Sequence, residues 1–136
     1  MITGAAGLLG SEHCRALLEI NANLILIDIN FKKLNNLKEV LLKDFPDSKI
    51  ILIKTDISRE SSIKKTYKKL IKNNINLHVL INNAAIDSKV LKNKKMTNTE
   101  KFENLNLKTW EKHLNVGLTG AMLCSKYFGS LISNNK

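Results

Sequence analysis

A chain of 136 residues holds one domain, 1–136, and excludes a two-domain enzyme within these residues; at this length roughly two-thirds of the unfolded surface can be buried, and 43% hydrophobic residues suffice for that, which excludes disorder. The formal charge of +10 is not the footprint of a nucleic-acid binder: all but Arg15 and Arg59 of the 22 basic residues are lysines scattered over helical faces, phosphate and base recognition leans on arginine, and 5% aromatics leave little for base stacking. No apolar run approaches the ~20 residues of a membrane span and no secretory signal opens the chain, so a soluble cytoplasmic protein is expected, with no nucleic-acid and no membrane partner.

In chain order, a glycine-rich opening leads into a helix from Leu8 to about Ile20. Leu24–Ile27 is a continuous apolar run closed by Asp28, the pattern of a strand buried on both faces. Leu34, Leu37, Val40 and Leu41 fall at helical spacing between Phe31 and about Lys43, and Pro46 punctuates the end. Ile50–Ile53 reads as the next strand. Ser58 to about Lys72 reads as a helix facing Ile63, Tyr67, Leu70 and Ile71 inward. Leu77–Ile81 is a fourth strand. Asp87–Asn106, rich in lysine and asparagine, reads as a surface loop with room for a short helical turn. A last helix from about Leu107 to Ile132 carries Trp110, Leu114, Leu118, Ala121, Phe128 and Ile132 on one stripe. Cys14 and Cys124, far apart with no His/Cys cluster near either, support no disulfide and no metal site; both are expected reduced and buried.

Strands alternating with helices predict an α/β fold, a doubly wound parallel sheet with right-handed crossovers and helices on both faces. Both ends read as interrupted. Only Met1-Ile2-Thr3 precedes the glycine loop, where a central strand takes about five residues, and the last helix is followed by no strand. The expectation is a fold truncated after the fourth strand and the following helix.

The loop Thr3-Gly4-Ala5-Ala6-Gly7-Leu8-Leu9-Gly10 sits between strand and helix, where a dinucleotide pyrophosphate binds. Glycines there permit a tight turn and close approach of backbone to phosphate, while the helix N-terminus presents free N–H donors and a positive dipole end. Three glycines alone also fit a plain tight turn. Asp28 closes the second strand 18 residues after Gly10, near where an acid accepts hydrogen bonds from the adenosine ribose. Its charge repels a 2′-phosphate and favours NAD over NADP, although Lys32 and Lys33 nearby keep NADP open. Asp56 follows the third strand, and Asn82-Asn83-Ala84-Ala85 follow the fourth. Both segments lie at carboxyl ends of parallel strands, where ligands of such sheets bind. Asp56 is equally readable as a helix-start residue with Ser58 as cap.

Taken together these runs resemble the short-chain dehydrogenase/reductase family over nearly the whole chain, with the Rossmann fold this implies. The shared motifs are the TGxxGxxG-type loop, the acid after strand two, Asp56-Ile57, Asn82-Asn83-Ala84-Ala85 in place of an NNAG, and Trp110 leading into Val116-Gly117-Leu118-Thr119-Gly120. By the resemblance, Thr3, Gly4, Gly7, Leu9 and Gly10 form the pyrophosphate loop, Asp28 takes the ribose, Asp56 and Ile57 the adenine, and Asn83, Ala84 and Ala85 the nicotinamide side. It implies an NAD(P)-dependent oxidoreductase interconverting an alcohol and a ketone, homo-oligomeric when complete. The same runs resemble bacterial members linked to surface-sugar or flagellin glycan modification, which points to a sugar derivative as substrate.

Three features depart from the family pattern. Gly7 stands one position earlier than in the commoner TGxxxGxG, a spacing more usual among sugar-nucleotide epimerases and dehydratases. Gly117, seven residues after Trp110, occupies the place of the active-site asparagine, and Asn115, about 200° away around an α-helix, does not replace it. The family's serine and Tyr-x-x-x-Lys do not occur within residues 1–136; Tyr127 is followed four residues later by Leu131, and His13, His78 and His113 read as core or surface. No catalytic residue is therefore assigned. A non-catalytic dinucleotide-binding module and an epimerase or dehydratase are the alternative readings.

Overall fold

The computed structural model describes residues 1–86 and 102–133. The elements, in chain order, are β1 (Ile2–Thr3), α1 (Leu8–Glu19), β2 (Leu24–Asp28), α2 (Phe31–Asp44), β3 (Ile50–Lys54) and α3 (Glu60–Lys72). A 3₁₀ turn (Phe102–Asn104), α4 (Leu107–Leu114), a π segment (Asn115–Gly120) and α5 (Ala121–Ser133) follow. The sheet is parallel in the order β1-β2-β3, with Leu24–Asp28 paired to Ile50–Lys54 and Ile2–Thr3 to Leu26–Ile27. It is the expected open, doubly wound α/β sheet.

The two faces of β2 explain the layering. Successive strand residues point to opposite sides, and all of Leu24–Ile27 is buried. Leu24 and Leu26 enter one core with Cys14, Leu18, Leu34 and Leu41 from α1 and α2. Ile25 and Ile27 enter a second with Ile63 and Leu70 from α3 and Cys124 and Phe128 from α5. β3 lies at the sheet edge, so its pattern is mixed and Ile51 is exposed.

Four expectations need correction. Leu77–Ile81 takes the place of a fourth strand beside β1 but forms no ladder; the pairing is a single parallel bridge, Ile2 to Ile81, with the Ile81 N–H donating to the Met1 carbonyl and the Thr3 N–H to the Ile81 carbonyl. Its neighbour β1 is only two residues long, which limits the pairing. Second, α3 begins at Glu60, and Ser58 does not cap it: its N–H and hydroxyl both donate to Asp56 Oδ1. Third, Ile71 is exposed, and Thr66 takes the inward place instead, its hydroxyl 2.9 Å from that of Thr55. Fourth, the last helix is not one α-helix. The π segment resets its phase, so that Trp110, Leu114 and Leu118 are exposed while Gly120, Cys124 and Phe128 are buried, and the single stripe dissolves. Of the expected loop, residues 87–101 lie outside the described residues. Among those described, no helix is long and apolar enough to cross a membrane.

Candidate functional site

The glycine loop is tightened by two different glycines for two reasons. Gly4 has φ +61°, and a Cβ there would lie 2.8 Å from Ala84 Cα; both the backbone conformation and the neighbour demand glycine. Gly10 has ordinary backbone angles, but a Cβ would fall 2.3 Å from the Gly4 carbonyl oxygen and 2.8 Å from Ala5 Cα. Its missing side chain is what lets α1 pack onto the loop. Gly7, exposed at the N-cap of α1, would meet only the Gly4 carbonyl, at 3.2 Å.

That helix start is suited to an anion. No side chain caps α1, and its first turn carries no acid, so the N–H groups of its start are not satisfied by a side chain of the helix itself. Leu8 and Leu9 beside it are 69% and 65% exposed.

Asp28 ends β2 at the same edge. Its Oδ2 accepts from the Ala6 N–H at 3.2 Å and its Oδ1 from the Asn30 N–H at 2.9 Å. One bond ties the carboxylate to the glycine loop and the other to the turn into α2, so its orientation is fixed with acceptor capacity left over. Ala6 was not picked out from the sequence, because its contribution is a backbone group. Ile29, 60% exposed directly after the acid, is a second residue of this rim that the sequence reading passed over; an apolar residue outside the strand was the available signal.

Asp56 follows β3. Its N–H donates to Ser62 Oγ, and its Oδ1 accepts from Ser58, which makes the Asp56–Arg59 turn a closed local network. The Thr55 N–H donates to the Asp28 carbonyl at 2.9 Å, joining this turn to β2. Ile57 points inward, 8% exposed, into the core shared with α5.

Asn83 acts mainly as a fastener. Its side-chain amide donates to the carbonyls of Thr3 and Gly4 at 3.0 and 3.2 Å. Thr3 Oγ1 accepts from the N–H groups of Asn83 and Ala84, both at 3.0 Å, and donates to the Ile81 carbonyl at 3.4 Å. That is the full capacity of a hydroxyl, one donor and two acceptors, so Thr3 is buried without an unmet polar group. Ala84 packs on Gly4, and Ala85 is exposed beside it. Asn82 donates to Ser125 on α5 at 3.0 Å, a link between segments 43 residues apart. Gly117 lies in the π segment with nothing within 4 Å of the place of a Cβ.

The structure thus brings Thr3, Gly4, Gly7, Leu9, Gly10, Asp28, Asp56 and Asn83–Ala85 to the carboxyl-terminal edge of one parallel sheet, with Ile57 turned beneath it. Concavities of about 240 Å³ at Asn21–Asn23 and Phe45–Lys49, and about 440 Å³ at Phe102–Trp110, contain none of these residues.

Known proteins share this fold. The family model "short chain dehydrogenase" matches residues 1–135. Human 15-hydroxyprostaglandin dehydrogenase [NAD(+)] is 26% identical over 129 residues, which is 95% of this chain and 41% of the human protein. Levodione reductase superposes with a TM-score of 0.81 at 22% identity, over 98% of this chain and 48% of that one. An alcohol dehydrogenase from the archaeon Thermococcus sibiricus, complexed with 5-hydroxy-NADP, also gives 0.81 at 19% identity, over 98% and 52%. The chain spans about half the length of these relatives or less. By the family-model match over residues 1–135, the chain belongs to the short-chain dehydrogenase family.

Proposed function

We propose that this chain is the cofactor-binding half of an NAD(P)-dependent oxidoreductase that interconverts an alcohol and a ketone, with NAD preferred. The observation that carries the reading is the Asp28 carboxylate, held by the N–H groups of Ala6 and Asn30 beside an uncapped, acid-free helix N-terminus. The residues fit a dinucleotide. Free N–H donors of the first turn of α1 suit a pyrophosphate, and a fixed carboxylate suits two ribose hydroxyls. Nicotinamide, when bound, accepts or releases the hydride. Asn83 and Thr3 hold the loop and the Ala84–Ala85 backbone in register, and the two small side chains leave room for a flat ring. Asp28 disfavours a 2′-phosphate by like charge, and Lys32, Lys33 and Lys54 around it moderate that bias.

The test is titration of the intact protein with NAD and NADP. Asp28→Ala removes charge-assisted acceptors worth about 1.5–3 kcal/mol, so NAD affinity falls about 10- to 100-fold while NADP affinity rises. An unchanged ratio of the two affinities contradicts the assignment. The exposed apolar residues Leu107, Trp110, Leu114, Leu118 and Met122 support self-association of the intact protein as part of this reading. Gly117, which offers no side chain where the family carries asparagine, favours the second reading, a dinucleotide-binding module without a reaction centre; binding of NAD with no turnover of any alcohol or ketone would decide for it.

A further inference from the structure

We infer that the last helix, through the end of its π segment and α5, positions the turn holding Asp56, and with it the adenosine half of the cofactor site, by packing Gly120 directly on Ile57. The inference rests on the dinucleotide reading above and adds to it a positioning role for a residue remote from the glycine loop. Gly120 is buried where the π segment passes into α5. A Cβ there would lie 3.0 Å from each of Ile57 Cγ1, Cδ1 and the carbonyl oxygen. The side chain could yield by rotating, but the carbonyl belongs to the turn itself, so added volume at 120 moves backbone.

Movement at Ile57 does not stay there. Asp56 precedes it and is bound to Ser58 and Ser62, a closed network that shifts as a unit, and Thr55 is bonded to the Asp28 carbonyl. The far end of the same turn is held by α5: the Tyr127 hydroxyl donates to Glu60 Oε1 at 2.5 Å, with Lys64 and Lys126 each 3.5 Å from the same carboxylate. The turn from Asp56 to Glu60 is therefore pinned at two points by one helix. The π segment sets which residue of that helix meets Ile57, and glycine occupies that place.

The test uses the intact protein and AMP as probe for the adenosine half, at a temperature where circular dichroism shows each variant folded. Gly120→Ala is expected to weaken AMP binding about tenfold or more. Gly129→Ala, on the same helix with nothing within 4 Å of its Cβ, is expected to leave it unchanged. A role in stability alone would lower the melting temperature without moving AMP affinity, and that result overturns the proposal. If Gly120→Ala does not fold, Tyr127→Phe, which releases only the second pin, decides: AMP binding weakened about threefold supports the proposal, and wild-type binding overturns it. Wild-type protein that binds neither AMP nor NAD defeats the dinucleotide reading and this inference together, whereas wild-type protein that binds AMP with no effect of Gly120→Ala defeats the inference alone.

Discussion

Single residues divide sharply between those fixed by contact and those left open. Gly10 has no room for a methyl group, its Cβ position being 2.3 Å from the Gly4 carbonyl, whereas Gly7 has one tight contact at 3.2 Å. Gly10→Ala is expected to weaken NAD binding by about 100-fold or more and Gly7→Ala by about tenfold or less, a comparison made by titration calorimetry; equal losses would show that the loop is not gripped by Gly10. The two cysteines make a second residue-level prediction. Burial pushes both thiols from 9 up to about 12, so the neutral form is favoured in the folded protein. Their contribution to stability is present below pH 9 and is lost as pH rises through about 12. At pH 8.5 both are expected to resist iodoacetamide until denaturant is added, as mass spectrometry would show.

Elements carried more of their meaning in the sequence than residues did. β2 was legible from Leu24–Ile27 and Asp28 because an unbroken apolar run has few uses other than a strand covered on both faces. α1 and α2 were legible to within a residue or so from their periodicity. The π segment was not, since i→i+5 bonding leaves no local pattern distinct from α-helix, and it alone decides that Leu118 faces out and Gly120 in. Within α5, Gly129 has no neighbour to accommodate, so Gly129→Ala is expected to stabilise the intact protein by about 0.5–1 kcal/mol. A shift in the denaturation midpoint checks this. Tyr127 and Glu60 join α5 to α3, and the hydrogen bond from Tyr127, with Lys64 and Lys126 nearby, lowers the Glu60 pKa. The clamp is accordingly complete above the usual glutamate range and loosens as pH falls through the lowered value.

At the scale of the whole molecule, the sheet of the described residues ends on β3, where Ile51 is 38% exposed. An edge strand offers its free backbone groups to other chains. Residues 1–136 produced alone are therefore expected to aggregate at micromolar concentration, as size-exclusion chromatography would report; a monomer melting in one cooperative transition would be the contrary result. Two cores, one on each face of β2, give such a chain internal order without covering the β3 edge.

What the sequence determined by itself was the class of fold and which residues form the candidate site, because strand runs, helical periods, glycines and a strand-end acid are local patterns set by steric and hydrophobic rules within a few residues. The tertiary structure decided which groups do which work. The bond from Asn83 to Thr3 spans 80 residues of sequence, Ala6 serves through its backbone, and Ile57 meets Gly120 only because the end of the π segment crosses that turn. Contacts between distant segments depend on how elements pack in three dimensions, and no pattern along the chain encodes a separation of 3 Å.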